Sequence, residues 1–199
     1  LSDPDDIKVL GELDISGFSE YLHPIQGDKI LAVGQETDDD GQILGLQISL
    51  FGAYDPSKLT LLNRLVVENK ENQWSGSEVS WEPKAFRYFT VADMGILLIP
   101  LNIYDYGRWY NDDLSPENFE GFMVFNVEND TISRRFSIDH LEFANDFNTC
   151  SAWCGSLPER SFVIDGKVLT LKSQSIVNTD LGTETAEWYM DVQKDVCCA

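Results

Sequence analysis

Glu36, Asp38 and Asp40 stand at alternate positions in the run GQETDDDGQ and are followed by Gly41. Oxygen ligands at that spacing, ahead of a residue that permits a sharp turn, make the first half of a calcium loop. Calcium takes about six to eight oxygens on a flexible frame. Gln42 would add a main-chain carbonyl. The second half does not follow: the twelfth position is Gln47 rather than a bidentate Glu, and Leu44–Phe51 alternates like a strand. The remaining ligands must come from outside the loop, and a solvated acidic turn is the alternative. Magnesium suits the run less well, because it demands stricter octahedral geometry and keeps its waters.

Other reactive residue types are sparse. Cys150 and Cys154 bracket CSAWC, with no second Cys pair or His at ligand spacing, which argues against zinc. The C-x-x-C of redox catalysis is absent, and a local Cys150–Cys154 disulfide of an exported protein is the expectation. The adjacent Cys197 and Cys198 do not easily pair with each other; they bond elsewhere or stay free. Asn129-Asp130-Thr131 matches the N-glycosylation pattern in an expected turn. Tyr104, Tyr106, Trp109 and Tyr110 crowd NIYDYGRWYNDD with Asp105, Arg108 and Asn111. Amphipathic rings beside polar groups suit protein or glycan recognition, or else cover the edge of a sheet. His23 and His140 have no ligand-type neighbours, and no G-x-S-x-G elbow or Gly-rich phosphate loop is present. Carboxylates are too numerous for any glycosidase pair to stand out.

That abundance is the chain's extreme feature. Thirty-four Asp and Glu face 14 Lys and Arg, a formal net charge of -20 over 199 residues. Such a surface repels phosphate backbones and anionic membranes, so nucleic acid and membrane insertion are excluded as partners. The longest apolar run, Met94–Leu101, contains Pro100 and is far shorter than the roughly 18–20 residues of a spanning helix. Leu1–Asp6 (LSDPDD) is an acidic turn, and the chain is expected to be processed or partial.

The elements that must position these residues are strands. Helical periodicity is poor, and short β-rich runs are separated by Gly, Asn, Asp and Pro. Lys8–Ile15 is expected to be an isolated strand. Four strands follow at Ser19–His23, Ile30–Gly34, Leu46–Phe51 and Leu61–Val67. A second set is expected at Lys84–Phe89, Ile96–Leu101, Gly121–Val127 and Thr131–Ile138. The third has a hairpin, Arg160–Ile164 with Lys167–Ser173 around Asp165-Gly166, then Ser175–Asn178 and Trp188–Val192. The order of strand, tight turn, apolar strand, long loop, strand recurs. The expected fold is therefore all-β, with four-stranded propeller blades at 19–67, 81–138 and 158–192, and 1–15 as the last strand of a preceding blade. A β-sandwich is the alternative. Three blades and a strand do not close a ring of the usual four to eight, so the chain is expected to be the C-terminal part of a larger propeller. Its missing blades would come from the same precursor or another chain.

The wording of the first set carries a resemblance. LSDPDDIKVLGELDISGFSEYLHPI, ILAVGQETDDDGQILGLQISLF and YDPS closely resemble secreted bacterial and archaeal proteins with a C-terminal β-propeller domain. Their repeats read DPxxPKVLGEL, G[YF]SxYLHP, DxDxDG and GLKxSLFDVSDPS. PKAF at Pro83–Phe86, LLIPL at Leu97–Leu101 and PERSFVIDGKVLTL at Pro158–Leu171 are similar to later phrases of that family. This chain departs from the pattern with Glu36 in place of Asp, with Glu82 in place of a His-like residue, and with insertions at Asn102–Glu120 and Ala144–Cys154. The resemblance implies a secreted propeller and brings no catalytic residues with it. The expected function is non-enzymatic: an extracellular structural or interaction module, stiffened by calcium, that meets other protein chains or glycans. A propeller-type glycoside hydrolase using channel carboxylates and a subunit of an extracellular fibre or matrix are the competing expectations.

Overall fold

The computed structural model describes residues 5–70, 72–106, 118–143, 157–173 and 175–191. They form three antiparallel sheets. The first holds β1 (Phe18–Ile25), β2 (Lys29–Thr37), β3 (Ile43–Gly52) and β4 (Thr60–Glu68) in that order. The second runs β7 (Met94–Asp105), β8 (Phe119–Glu128), β9 (Thr131–Asp139), with β5 (Gln73–Gly76) and β6 (Arg87–Val91) both paired to β7. The third is β10 (Leu157–Ile164), β11 (Lys167–Ser173), β12 (Ser175–Asp180) and β13 (Thr185–Asp191).

Local chemistry sets the hairpins. Ala92-Asp93, Asn129-Asp130 and Asp165-Gly166 each join two strands with both residues at positive φ. That is the mirror-image turn whose twist matches paired strands, and Asn, Asp and Gly tolerate it best. The Asp165-Gly166 hairpin stands where the sequence places it.

The sheets stack face to face. Leu31, Val33, Leu46, Ile48 and Leu50 from the first meet Leu97, Ile99, Leu101, Met123, Phe125 and Val127 from the second. The alternate residues Ile96, Leu98, Phe122 and Val124 meet Val168 and Val177 of the third. The second sheet is thus buried on both faces, which explains why MGILLIPL reads as one continuous apolar run. Polar links cross the first seam as well: Lys29 pairs with Asp130, and Asn63 Oδ1 accepts the Ile132 N–H at 2.9 Å.

Two sequence expectations change. Lys84–Phe89 is not one strand. Pro83–Ala85 is a 3-10 turn capped by Glu82, whose carboxylate accepts the Lys84 N–H at 3.1 Å, and the strand starts at Arg87. Together with β5, β6 occupies one edge of β7, and residues 77–86 leave that edge in between. Pro100 lies in the resulting gap, where a missing N–H costs no ladder bond. Its carbonyl accepts the Ser77 hydroxyl at 2.6 Å.

Lys8–Ile15 is not a strand either. No neighbouring strand pairs with it among the described residues, and a ladder cannot form without one. Residues 11–17 instead cross the outer face of the first sheet. A Cβ on Gly11 would lie 2.4 Å from the Pro56 carbonyl oxygen, and one on Gly17 2.2 Å from that of Gln35. Ile7, Val9 and Leu10 remain exposed.

Candidate functional site

The acidic run folds into a turn that satisfies itself. Asp38 Oδ1 accepts the Asp40 and Gln42 N–H groups at 3.0 and 2.7 Å, and Gly41 takes the positive φ of the bend. Glu36 lies back on β2. Its Oε2 accepts Arg64 Nη1 at 2.8 Å and its Oε1 accepts the Ser16 hydroxyl at 2.6 Å. Arg64 also donates to Ser16 at 2.6 Å. Glu36 thereby pins the 11–17 segment to the first sheet. Among the described residues, no three carboxylate, His or Cys side chains are gathered closely enough to hold a metal ion.

Asn129 is exposed at the tip of the β8–β9 turn, with Thr131 at the first position of β9. Tyr104 is half-buried. It stacks on Trp74 with ring centroids 6.0 Å apart and donates its hydroxyl to Glu120 at 3.2 Å. Burial, seconded by the Glu120 charge, pushes its phenol up to about 12. Tyr106 is exposed. Trp109, Tyr110, Cys150, Cys154, Cys197 and Cys198 lie outside the described residues.

Sequence reasoning missed two features of the third sheet. Phe162, Leu169, Asn178 and Trp188 are in register across it, as are Arg160, Leu171, Ile176 and Met190. These rows face away from the second sheet. Phe162 (42%), Ile164 (61%), Trp188 (48%) and Met190 (50%) are open to solvent. The opposite face carries Ser161, Thr170, Lys172, Ser175 and Thr179, all buried against the second sheet. The sheet therefore hides its more polar face and shows its more apolar one. The alternation of PERSFVIDGKVLTL contains both rows; nothing local says which one turns inward. On the far side of the stack, Leu13, Ile15, Leu22, Ile30, Phe51 and Leu59 line a groove of about 370 Å³ between the crossing segment and the first sheet.

The second missed feature is a buried polar cluster on the inward face. Lys172 Nζ, fully enclosed, meets Glu159 Oε1 at 2.5 Å. Burial outweighs the pairing on both partners: it pushes the Lys172 ammonium down and the Glu159 carboxyl up. His140, 1% exposed at the end of β9, contacts Ser175 Oγ through Nδ1 at 2.7 Å and Thr170 Oγ1 through Nε2 at 2.9 Å. In sequence His140 has no neighbour of consequence, because its partners are 30 and 35 residues away.

Stacked four-stranded antiparallel sheets are the unit of a propeller, and comparison with known proteins agrees. An uncharacterised protein of Methanocaldococcus jannaschii is 41% identical over 87 residues, 44% of this chain and 11% of that protein. An uncharacterised protein of Archaeoglobus fulgidus is 34% identical over 114 residues, 57% of this chain and 16% of that protein. The chain thus covers only a small part of the length of these relatives. No solved structure matches. Residues 1–184 match the family described as the beta propeller domain, and the chain belongs to that family.

Proposed function

We propose that the three sheets are consecutive blades of a larger propeller, which serves outside the cell as a non-enzymatic module for contact with other protein chains or glycans. The outer face of the third sheet carries this reading. A row of large apolar side chains open to water costs roughly 25 cal/mol per Å² of area left uncovered, and a further blade packed as the second sheet packs would cover it. The groove on the first sheet offers the matching face at the other end of the stack. The extracellular setting rests on the resemblance of Gly17–Phe51 to secreted propellers and on the expected Cys150–Cys154 bridge. Dye binding tests the uncovered face. The isolated chain is expected to enhance the fluorescence of a hydrophobic dye such as ANS, and Trp188→Lys is expected to abolish most of the enhancement. A chain that leaves the dye dark overturns the larger ring.

Calcium belongs to the same reading as a stiffener at Asp38, Asp40 and the Gln42 carbonyl, with Glu36 joining only if Arg64 releases it. Thermal melting with calcium and with EGTA decides the point. A lower Tm in EGTA supports the ion, and an unchanged Tm removes it.

A further inference from the structure

The seam between the second and third sheets buries a polar cluster beside its apolar core. His140 sits in the second seam and joins three strands: its backbone continues β9, its Nδ1 reaches Ser175 on β12 and its Nε2 reaches Thr170 on β11. Its ring also packs against Phe122 on β8, with centroids 5.9 Å apart. Hydrogen-bond bookkeeping assigns the tautomer. The Thr170 hydroxyl donates to the Val177 carbonyl at 3.3 Å, so its oxygen accepts from Nε2–H. Nδ1 then carries the lone pair and accepts the Ser175 hydroxyl proton.

We infer that His140 is an acid-operated latch: neutral, it ties the third sheet to the second, and protonated, it releases that seam. A proton added at Nδ1 would point at the hydroxyl hydrogen of Ser175 and force that bond to reverse. It would also place a second cation beside the Lys172 ammonium on β11, in a site closed to water. Among the described residues, Glu159 on β10, Glu120 on β8, Asp139 on β9, Glu142 in the turn after it and Glu78 between β5 and β6 also act on this cluster. Arg87, Arg135 and Arg160 cross the same seam to the Ser161 carbonyl, to Glu184 with the Leu181 carbonyl, and to Glu82.

Burial, seconded by the Lys172 charge, holds the imidazole down at about 4, against 6.5 for a free side chain, and outweighs the Lys172 and Ser175 backbone carbonyls, which favour the charged ring. The sign follows from linkage. Between pH 6.5 and about 4 the unfolded chain binds a proton at this residue and the folded chain does not. The stability supplied by neutral His140 is therefore complete above pH 6.5 and is lost as the pH falls. Glu159 and Asp139, both pushed up by burial, act in the opposite direction. Their carboxyls take up protons more readily in the folded chain, so the latch must be read as a difference from a variant that keeps them.

The test is urea denaturation of the chain and of His140→Asn at pH 7 and pH 4.5. The ratio of their folding constants, native over variant, is expected to fall roughly 60-fold between the two. A ratio that does not change with pH overturns the latch. Because the variant could fail to fold, NMR of the native chain supplies a second measurement. His140 should remain a neutral Nε2–H imidazole at pH 5.5, and titration near 6.5 overturns the proposal. Hydrogen exchange at pH 4.5 then locates the opening. Amides of β11 and β12 should lose protection before those of β2 and β3, and uniform loss across the three sheets overturns a local seam.

Discussion

Lys172→Met is expected to destabilise the chain at pH 7 by about 3–5 kcal/mol, because it leaves the Glu159 carboxylate buried without its cation. The lysine is fully enclosed and its ammonium contacts Glu159 directly. Among the described residues Glu159 Oε2 has no hydrogen-bond partner, and none of them supplies a spare donor to replace Lys172. The loss should depend on pH in a definite direction. Burial already pushes the Glu159 carboxyl up, and Lys172 is the chief group holding it down. In the variant it rises further, so the folded chain takes up the missing proton more readily than the unfolded chain. The deficit therefore shrinks as the pH falls through the range of the raised carboxyl. Urea denaturation of the native chain, Lys172→Met and Lys172→Met/Glu159→Gln measures this. The double variant should recover part of the loss, because the charge it would have stranded is gone. A single variant as stable as the native chain would show that the pair is solvated.

Phe125→Ala is expected to cost about 3–5 kcal/mol by emptying the seam between the first and second sheets. Phe125 lies on β8 with no solvent exposure, among Leu46, Ile48, Leu50, Leu97 and Ile99. Large rings in a sheet buried on both faces have no room to be replaced by relaxation, since strands from three layers hold the walls apart. For a chain of this size the loss corresponds to a fall in Tm of roughly 6–20 °C. Differential scanning calorimetry reads it directly. A drop of a degree or less would place Phe125 outside the core.

Strands are the part of this protein that local sequence announces. β2, β3, β4, β8, β9 and β11 fall where the alternating runs place them, to within a few residues at each end. The reason is that a strand's pattern repeats every second residue and its hairpin turns need Asn, Asp or Gly at positive φ. β5 is different. Gln73–Gly76 is four residues long and carries little pattern, and it becomes a strand only because the far half of β7 offers it an edge. The break in that edge between β5 and β6 has a sequence cause in Pro83 and Pro100, but their joint effect appears only when β7 is seen to carry both strands.

Candidate sites divide along the same line. Glu36, Asp38 and Asp40 share one short stretch, so their spacing is visible in the letters. What the letters omit is Arg64 and Ser16, 28 and 20 residues from Glu36, which bind its carboxylate. The same holds for Tyr104, whose ring rests on Trp74 and whose hydroxyl reaches Glu120.

By itself, then, the sequence determines the all-β class, most of the strands and the hairpin turns between them, because each rests on interactions between near neighbours. The wording of Gly17–Phe51 also brings the propeller family into view. Tertiary structure alone decides which face of each sheet turns inward. Alternation defines two faces and cannot rank them when both carry apolar residues, as in the third sheet. Burial is a property of what lies across a seam, and the partners of His140 and Lys172 there are set by stacking and strand register rather than by spacing along the chain.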